Sequence, residues 1–334
     1  MKYAFFGTCF EDGDILIECL KTIANQSIPP NEVVIIDSSN KNILKDQSLE
    51  IFKNLKTSLI YENIKLPRVK ALNYAISKTN SDYVLRFDSR TRFDKYYAEE
   101  SLKLFKKINS NNEAFAAVGG LQTPIPANNS RTAKIASEIM GRAYIFGNPL
   151  YRRKNYNGKV NSIYLGCFSK KVLGKTPYRE EISLISEDSQ LCYDIISKGY
   201  NIYMSQEIKL QYLSRNNVYS VLKLFRTYGR CRARTIISTK TIHDKKKFLV
   251  IFLLVFLIPI ALVTFLGNKI LSTLFVFVLI PFFYNFFHEL FNYGYSKLHL
   301  PLIGLICQFN WFLGLLETFI FYNFTKNNKT NNFK

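Results

Sequence analysis

Residues 248–266 (FLVIFLLVFLIPIALVTFL) run for nineteen positions without a charge, and residues 270–287 (ILSTLFVFVLIPFFYNFF) for eighteen more. As helices rising 1.5 Å per residue, each is long enough to cross a hydrocarbon core of about 30 Å. Only Gly267-Asn268-Lys269 separates them. A buried hairpin of that length inside a soluble domain is the weaker account, so the runs are read as two membrane spans. A third stretch, 300–323, carries Gln308, Asn310 and Glu317 among its apolar residues and admits three placements: spanning, re-entrant or interfacial. The polar tail 324–334 follows. Lys245-Lys246-Lys247 directly before the first span puts everything ahead of it on the cytosolic side by the positive-inside rule. The expected location is the inner (cytoplasmic) membrane, multi-pass. At the N-terminus, Glu11, Asp12 and Asp14 interrupt the apolar run that a cleaved signal needs, and none is expected.

Charge and cysteines narrow the partners. The formal net charge is +20, but the lysines are scattered and no nucleic-acid recognition motif accompanies them, so the basic balance is assigned to anionic lipid and phosphorylated substrates. Cys9, Cys19, Cys167, Cys192, Cys231 and Cys307 show neither a C-x-x-C pair nor zinc spacing with histidine, and are expected to be reduced core thiols.

The first hundred residues alternate between two periodicities. Tyr3–Cys9 reads as a strand, Ile15 to Ile23 as a helix face, and Glu32–Asp37 as a short buried strand. A polar helix near 41–55, a strand near 57–61, a helix from Pro67 and a strand from Tyr83 to Asp88 follow. That βαβαβαβ series predicts a mainly parallel sheet with helices on both faces, with ligands at the carboxyl ends of the strands, where Asp37 and Asp88 lie. Farther on, 116–120 reads as a strand, 123–130 as a loop, 162–168 as a strand, and 187–198 as a helix closed by Gly199.

Each candidate residue has two readings. Asp37, followed by Ser38-Ser39-Asn40, could accept from a nucleobase or ribose, or serve as a turn or cap residue. Asp88, in Arg86-Phe-Asp-Ser-Arg-Thr-Arg92, suits a divalent ion or diphosphate, or a structural Asp–Arg pair. Glu187-Asp188 follow Ser186 and could simply complement a helix dipole. Lys223, Arg226, Arg230 and Arg234 form one stripe of a helix facing either a diphosphate or lipid headgroups.

Taken in order, Glu11, Gln26, Asp37, the Asp88 strand end, Gly119-Gly120, Gly166-Cys-Phe168, Glu187-Asp188 and Arg226-Thr-Tyr-Gly-Arg230 resemble family 2 glycosyltransferases, whose catalytic domain has the GT-A (Rossmann-like) fold. The likeness covers about residues 1–235. Asp-Ser-Arg-Thr-Arg at 88–92 with the later Tyr-Gly-Arg looks most like the succinoglycan-type glucosyltransferases of exopolysaccharide assembly. The resemblance implies an inverting transfer with Asp188 as general base and Glu187 orienting the acceptor or the base. It places Glu11, Asp37, Arg68, Asp88 and Arg90 around a nucleotide-sugar, expected to be uridine-linked. It also gives Arg226 and Arg230 to the diphosphate or a lipid headgroup, and Mg²⁺ or Mn²⁺ to Asp88. The chain departs from the pattern at two points. The usual Asp-x-Asp is Asp88-Ser89-Arg90, which replaces a carboxylate by a cation, and the Arg-Trp pair of processive synthases is replaced by Tyr228-Gly229-Arg230, favouring transfer of one sugar.

The expected organisation is a catalytic domain over 1–217, a basic interfacial segment over 218–247, a membrane block over 248–323 and the tail. The expected acceptor is a saccharide on polyprenyl diphosphate, with other polysaccharide assembly proteins as further partners. Two alternatives stand beside it: direct transfer to polyprenyl phosphate, and a non-catalytic subunit of an export complex.

Overall fold

The computed structural model describes residues 1–109, 114–146, 149–180, 187–240 and 283–328. The expected span 248–266 and the expected span 270–287 as far as residue 282 lie outside these, as do Ser186 and the tail beyond 328. The chain divides into two compact units, Met1–Ile125 with Pro149–Ser214, and Pro126–Asn148 with Arg215–Lys334.

The first unit is built on one nine-stranded sheet. In chain order its elements are β1 Tyr3–Cys9, α1 Asp14–Ala24, β2 Glu32–Asp37, α2 Lys45–Phe52, β3 Ser58–Asn63, α3 Arg68–Ser77, β4 Tyr83–Asp88, β5 Thr91–Phe93 and α4 Tyr97–Asn109. After these come β6 Phe115–Ile125, β7 Gly158–Lys159, β8 Cys167–Ser169, α7 Lys170–Leu173, α8 Glu187–Ser197 and β9 Asn201–Leu213, with α5 Arg131–Gly141 and α6 Ala143–Phe146 intervening in the second unit. The strand order is β3-β2-β1-β4-β8-β6-β9-β5, with β7 attached to β9.

The bounds expected for β1, β2 and β4 are those observed, because each is a predominantly apolar run, with Arg86 the one charge inside β4, as a strand covered on both faces requires. Pleat alternation sends Phe5, Val33, Ile35, Leu85 and Phe87 into one core and Phe6, Val34, Ile36 and Val84 into the other. Helix α3 and helix α8 pack into the second core through Val69, Leu72, Ile76, Leu191, Cys192 and Ile195. All six cysteines are buried free thiols.

The expected mainly parallel pairing holds, with antiparallel strands mixed in: β1 to β4 pair parallel and β6 pairs parallel with β9, whereas β8 runs antiparallel to both β4 and β6, and β5 antiparallel to β9. Two expectations change. The stretch 123–130 is not all loop, because β6 continues through Pro124 to Ile125 along β9 after an irregularity between Gly120 and Leu121. The 162–168 strand shrinks to Cys167–Ser169, since Leu165 and Gly166 take φ of 58° and 104° and break extended pairing before it.

In the second unit, α9 Val218–Thr239 packs along α10 His299–Asn328. Among the described residues one helix, over Tyr295–Phe321, is long and apolar enough to cross a membrane. The two helices meet at a pair of glycines. A Cβ added at Gly229 would lie 1.8 Å from the Trp311 carbonyl oxygen, and one at Gly314 would lie 1.9 Å from that of Arg226. Both contacts are backbone, so neither can yield by side-chain rotation. We expect Gly229→Ala to push the helices apart at a cost of about 1–3 kcal/mol, the usual range for overpacking, read as a lower thermal midpoint of the detergent-solubilised chain.

Candidate active site

The site lies at the carboxyl edge of β2, β1 and β4. Cys9 pairs in register with Asp37 on one side, and Thr8 with Asp88 on the other. At about 4.8 Å between neighbouring strands, the Asp37 and Asp88 backbones stand roughly 10 Å apart.

Asp37 is fully buried and organises the loops around it. Its Oδ1 accepts from the Ser39 amide at 2.9 Å, an Asx turn, and its Oδ2 from the Tyr61 hydroxyl at 2.6 Å. The Ser39 hydroxyl accepts from the Glu11 amide at 2.7 Å, and Glu11 Oε1 accepts from the Asn40 amide at 3.1 Å, tying the loop after β1 to the loop after β2. Burial opposes ionisation of Asp37, but the bonds from Ser39 and Tyr61 outweigh it and hold the carboxyl below its ordinary value. A depressed carboxyl adds stability above its unfolded value, near 3.9, and that stability is lost as pH falls through the folded value. Tyr61→Phe removes one of those bonds and lets the folded value rise. The acid-unfolding midpoint followed by circular dichroism is therefore expected to move to higher pH, with about 1.5–3 kcal/mol lost at neutral pH.

On the opposite face of the sheet lies a denser network. Arg86 is fully buried in the middle of β4, where pleat alternation places it on the side of Val84 and Asp88. Its Nη2 donates to Glu187 Oε1 at 2.8 Å and to Asp88 Oδ1 at 3.4 Å, and its Nη1 forms an ion pair with Asp188. The Tyr178 ring lies against the guanidinium, 5.5 Å from centroid to Cζ. Arg68, opening α3, adds a second fork, with Nη2 at 2.9 Å from Asp88 Oδ1 and Nε at 2.8 Å from Glu187 Oε1. A buried guanidinium is tolerated only when its desolvation is offset by paired charge, which three carboxylates supply here. Burial works against the charged form of Arg86, yet Tyr178, Asp88 and Glu187 together raise its pKa; burial also pushes the Tyr178 hydroxyl up to about 12. Glu187 and Asp188 occupy the first turn of α8, where the helix dipole favours negative charge. The Glu187 side chain is 6% exposed and that of Asp188 30%, so of the two Asp188 is the one open to a substrate.

Arg90 Nη1 donates to the carbonyls of Leu213 and Ser214 at 3.4 and 3.1 Å, and its charge also acts on the Asp12 carboxyl. Asp12 lies in the same neighbourhood; burial raises its carboxyl, with hydrogen bonds from Phe10 and Ser89 opposing.

The model for glycosyl transferase family 2 matches residues 7–175. The chain belongs to this family. It is a transferase of the glycosyl class, as its curated relative is. That relative is a dolichyl N-acetyl-α-D-glucosaminyl phosphate 3-β-D-2,3-diacetamido-2,3-dideoxy-β-D-glucuronosyltransferase of Methanococcus voltae. It is 23% identical over 236 residues, covering 68% of this chain and 71% of that one. Among solved structures, the mannosyltransferase PcManGT of Pyrobaculum calidifontis, in complex with GDP-Man and Mn²⁺, matches 92% of this chain and 85% of its own at 12% identity and a TM-score of 0.60, which establishes a GT-A-like fold. Staphylococcus aureus TarS matches at 14% identity and a TM-score of 0.45, and the chain spans 43% of its length.

The solved mannosyltransferase carries Mn²⁺, and the residues of this family 2 chain can be weighed against such an ion. Hard divalent cations want several oxygen ligands. Asp88 Oδ1 already accepts from two guanidinium groups, and the residue two positions on is Arg90. Among the described residues no group of three His, Cys, Asp or Glu side chains is placed to hold a metal ion. The described protein groups alone do not complete a divalent site, so an ion at Asp88 would need oxygens from the bound diphosphate to complete its shell.

Arg226 and Arg230 belong to the second unit, where both converge on Glu317 of α10: Arg226 Nη2 forms an ion pair with it, and Arg230 Nε and Nη2 lie 2.9 Å from its Oε2. The site residue that sequence reasoning passed over is Arg86, together with Tyr178. The available signal was the arginine itself, a lone charge inside the apolar run Val84-Leu-Arg-Phe87, two residues before Asp88 and so on the same face.

Proposed function

We propose that the first unit catalyses inverting transfer of one sugar from a nucleotide-diphospho-sugar, expected to be uridine-linked, to a sugar on a lipid phosphate carrier in cell-surface polysaccharide assembly. The acceptor hydroxyl, positioned beside Asp188, attacks the anomeric carbon from the side opposite the diphosphate. As the new C–O bond forms, Asp188 takes the hydroxyl proton, the bond to the diphosphate breaks, and its electron pair leaves on the nucleoside diphosphate. Arg86 fixes Asp188 and Glu187 for this step, and the Glu11–Asp37–Ser39 loops frame the nucleoside.

The observation that carries this reading is the convergence of Arg86 on Asp88, Glu187 and Asp188, which brings a strand end and a helix start more than ninety residues apart in sequence into one charged site. The lipid-linked acceptor is supported by the name of the Methanococcus voltae relative and by the apolar runs at 248–287. The test is to supply the solubilised chain with labelled UDP- and GDP-sugars and, separately, polyprenyl phosphate or a polyprenyl-linked saccharide. Labelled lipid formed only with the saccharide-bearing carrier is expected; label on bare polyprenyl phosphate would move the acceptor assignment to that lipid.

A further inference from the structure

We propose that α10 does not cross the membrane but lies in its surface, with one stripe of apolar side chains set into the headgroup–acyl boundary of an anionic bilayer and the rest of the second unit on its other side. This placement stands independently of the transfer chemistry above.

Helix α10 is apolar around its whole circumference, and a helix of that kind is stable only when covered on every side. Protein covers part of it. Leu300, Cys307, Trp311, Phe312 and Leu315 are buried, whereas Leu302, Ile306, Phe309 and Ile320 are between 42% and 57% exposed. At about 100° per residue, these four and the half-buried Leu313 and Leu316 fall within roughly 40° of one line along the helix. The stripe carries no polar residue, and Asn310 and Glu317 border it on one side. A continuous apolar face of this length suits lipid, not water.

The company on the buried side decides between a spanning and a surface helix. A span needs about twenty residues, and any such segment within Tyr295–Phe321 contains 302–314. Over that stretch Gln308 Nε2 donates to the Ile145 carbonyl at 2.5 Å, and a Cβ added at Gly304 would lie 3.0 Å from the Ile145 side chain. Ile145 belongs to α6, which is four residues long, and Gly141 and Ala143 at its entrance are exposed. In a spanning placement that irregular backbone would open onto hydrocarbon, where unpaired amides and carbonyls are not tolerated. Trp311 and Gly314 meet α9 in the same stretch, and α9 brings the half-exposed Arg226 and Arg230 to that depth. Laid flat, the unit meets neither conflict.

The charge fits an anionic surface. The acidic side chains in 126–146, 215–240 and 283–328 are Glu138, Glu289 and Glu317. Each already faces cations, Lys297, Arg142, and Arg226 with Arg230 respectively, and Arg131, Lys134, Lys223 and Arg234 come in addition. Anionic headgroups attract such an excess. The tether is short, since only 288–298 joins the expected span 270–287 to α10. Phe291 and Tyr295 are exposed along it, as aromatic rings at headgroup level are.

The experiment is a depth measurement by electron paramagnetic resonance. The full chain is reconstituted in vesicles of phosphatidylethanolamine and phosphatidylglycerol, with a nitroxide on one introduced cysteine at a time: Leu302→Cys, Phe309→Cys, Ile320→Cys and, on α9, Lys223→Cys. The six native thiols are buried, so the label reports the added site. Collisions with oxygen and with a nickel chelate are expected to place the three α10 labels at one depth, about 5–10 Å below the phosphates, and the α9 label at or above them. A label at 309 near the bilayer centre, about 15 Å deep, with 302 and 320 shallower, overturns the proposal in favour of a spanning or re-entrant helix. Three α10 labels as open to the nickel chelate as the α9 label overturn it in favour of water. Spin–spin broadening with little access to either reagent overturns it in favour of a second copy of this chain. Replacing phosphatidylglycerol by phosphatidylcholine is expected to shift the α10 labels toward water, and unchanged depths overturn the assignment to anionic lipid. Should Phe309→Cys fail to fold, as judged by circular dichroism, Ile306→Cys takes its place in the series.

Discussion

Asp188→Asn is expected to lower transfer by about 10²–10⁴-fold, the usual contribution of a positioned proton acceptor, while nucleotide affinity stays within about twofold of wild type. The amide keeps the shape and the start of α8 but cannot take the acceptor proton. Asp188 shares Arg86 with Glu187 and Asp88, yet it is the more exposed of the two helix-start carboxylates. Glu187 differs because both Arg68 and Arg86 donate to its Oε1. Its removal takes one carboxylate from each of two arginines and lowers stability along with activity, so the pair of variants separates proton transfer from architecture. Steady-state assays beside titration calorimetry provide the check, and transfer retained in full by Asp188→Asn would eliminate it as the base.

The second large effect belongs to Arg86. Arg86→Met removes the cation that three carboxylates share and leaves Glu187, nearly without solvent, beside Asp88 and Asp188. Breaking a buried ion pair from one side costs about 3–5 kcal/mol, because the surviving charges keep their desolvation and lose their partner. At roughly 2–4 °C per kcal/mol for a chain of this size, the thermal midpoint falls by on the order of 10 °C. Arg86→Lys restores a charge but not the planar fork that reaches Asp188 through Nη1 and Glu187 through Nη2, and recovers only part of the loss. Differential scanning fluorimetry on the three proteins measures the series; an Arg86→Met midpoint equal to wild type would show that the carboxylates do not depend on it.

Why the strands were legible and the site only partly so has a physical cause. Val33 to Ile36 and Val84 to Phe87 declare themselves because a strand covered by helices on both faces must be apolar throughout, and local pattern suffices. Arg86 breaks that pattern, and its justification sits at residues 187 and 188, which no window around β4 contains. Asp37 shows the same gap. Its serines are visible next to it, but the Tyr61 hydroxyl that fills its second oxygen arrives from β3. The end of β6 was misread because Pro124 and the polar residues after it look like a loop until β9 supplies a pairing edge. The two arginines at 226 and 230 lie on one helical stripe, as spacing required, but their shared partner Glu317 is 87 residues beyond the second of them.

The glycine crossing of α9 and α10 has a bearing on inheritance. Each glycine abuts the carbonyl of the residue three positions before the other, so the two sites constrain one another reciprocally. Drift at either cannot be compensated by trimming a neighbour, because what it would strike is main chain. The charges at 226, 230 and 317 meet through side chains that can re-orient, whereas any side chain at 229 or 314 must displace a main chain. Tyr228-Gly229-Arg230, which in the bare sequence stands where processive synthases keep an aromatic pair, is in this fold a fingerprint of how two helices touch.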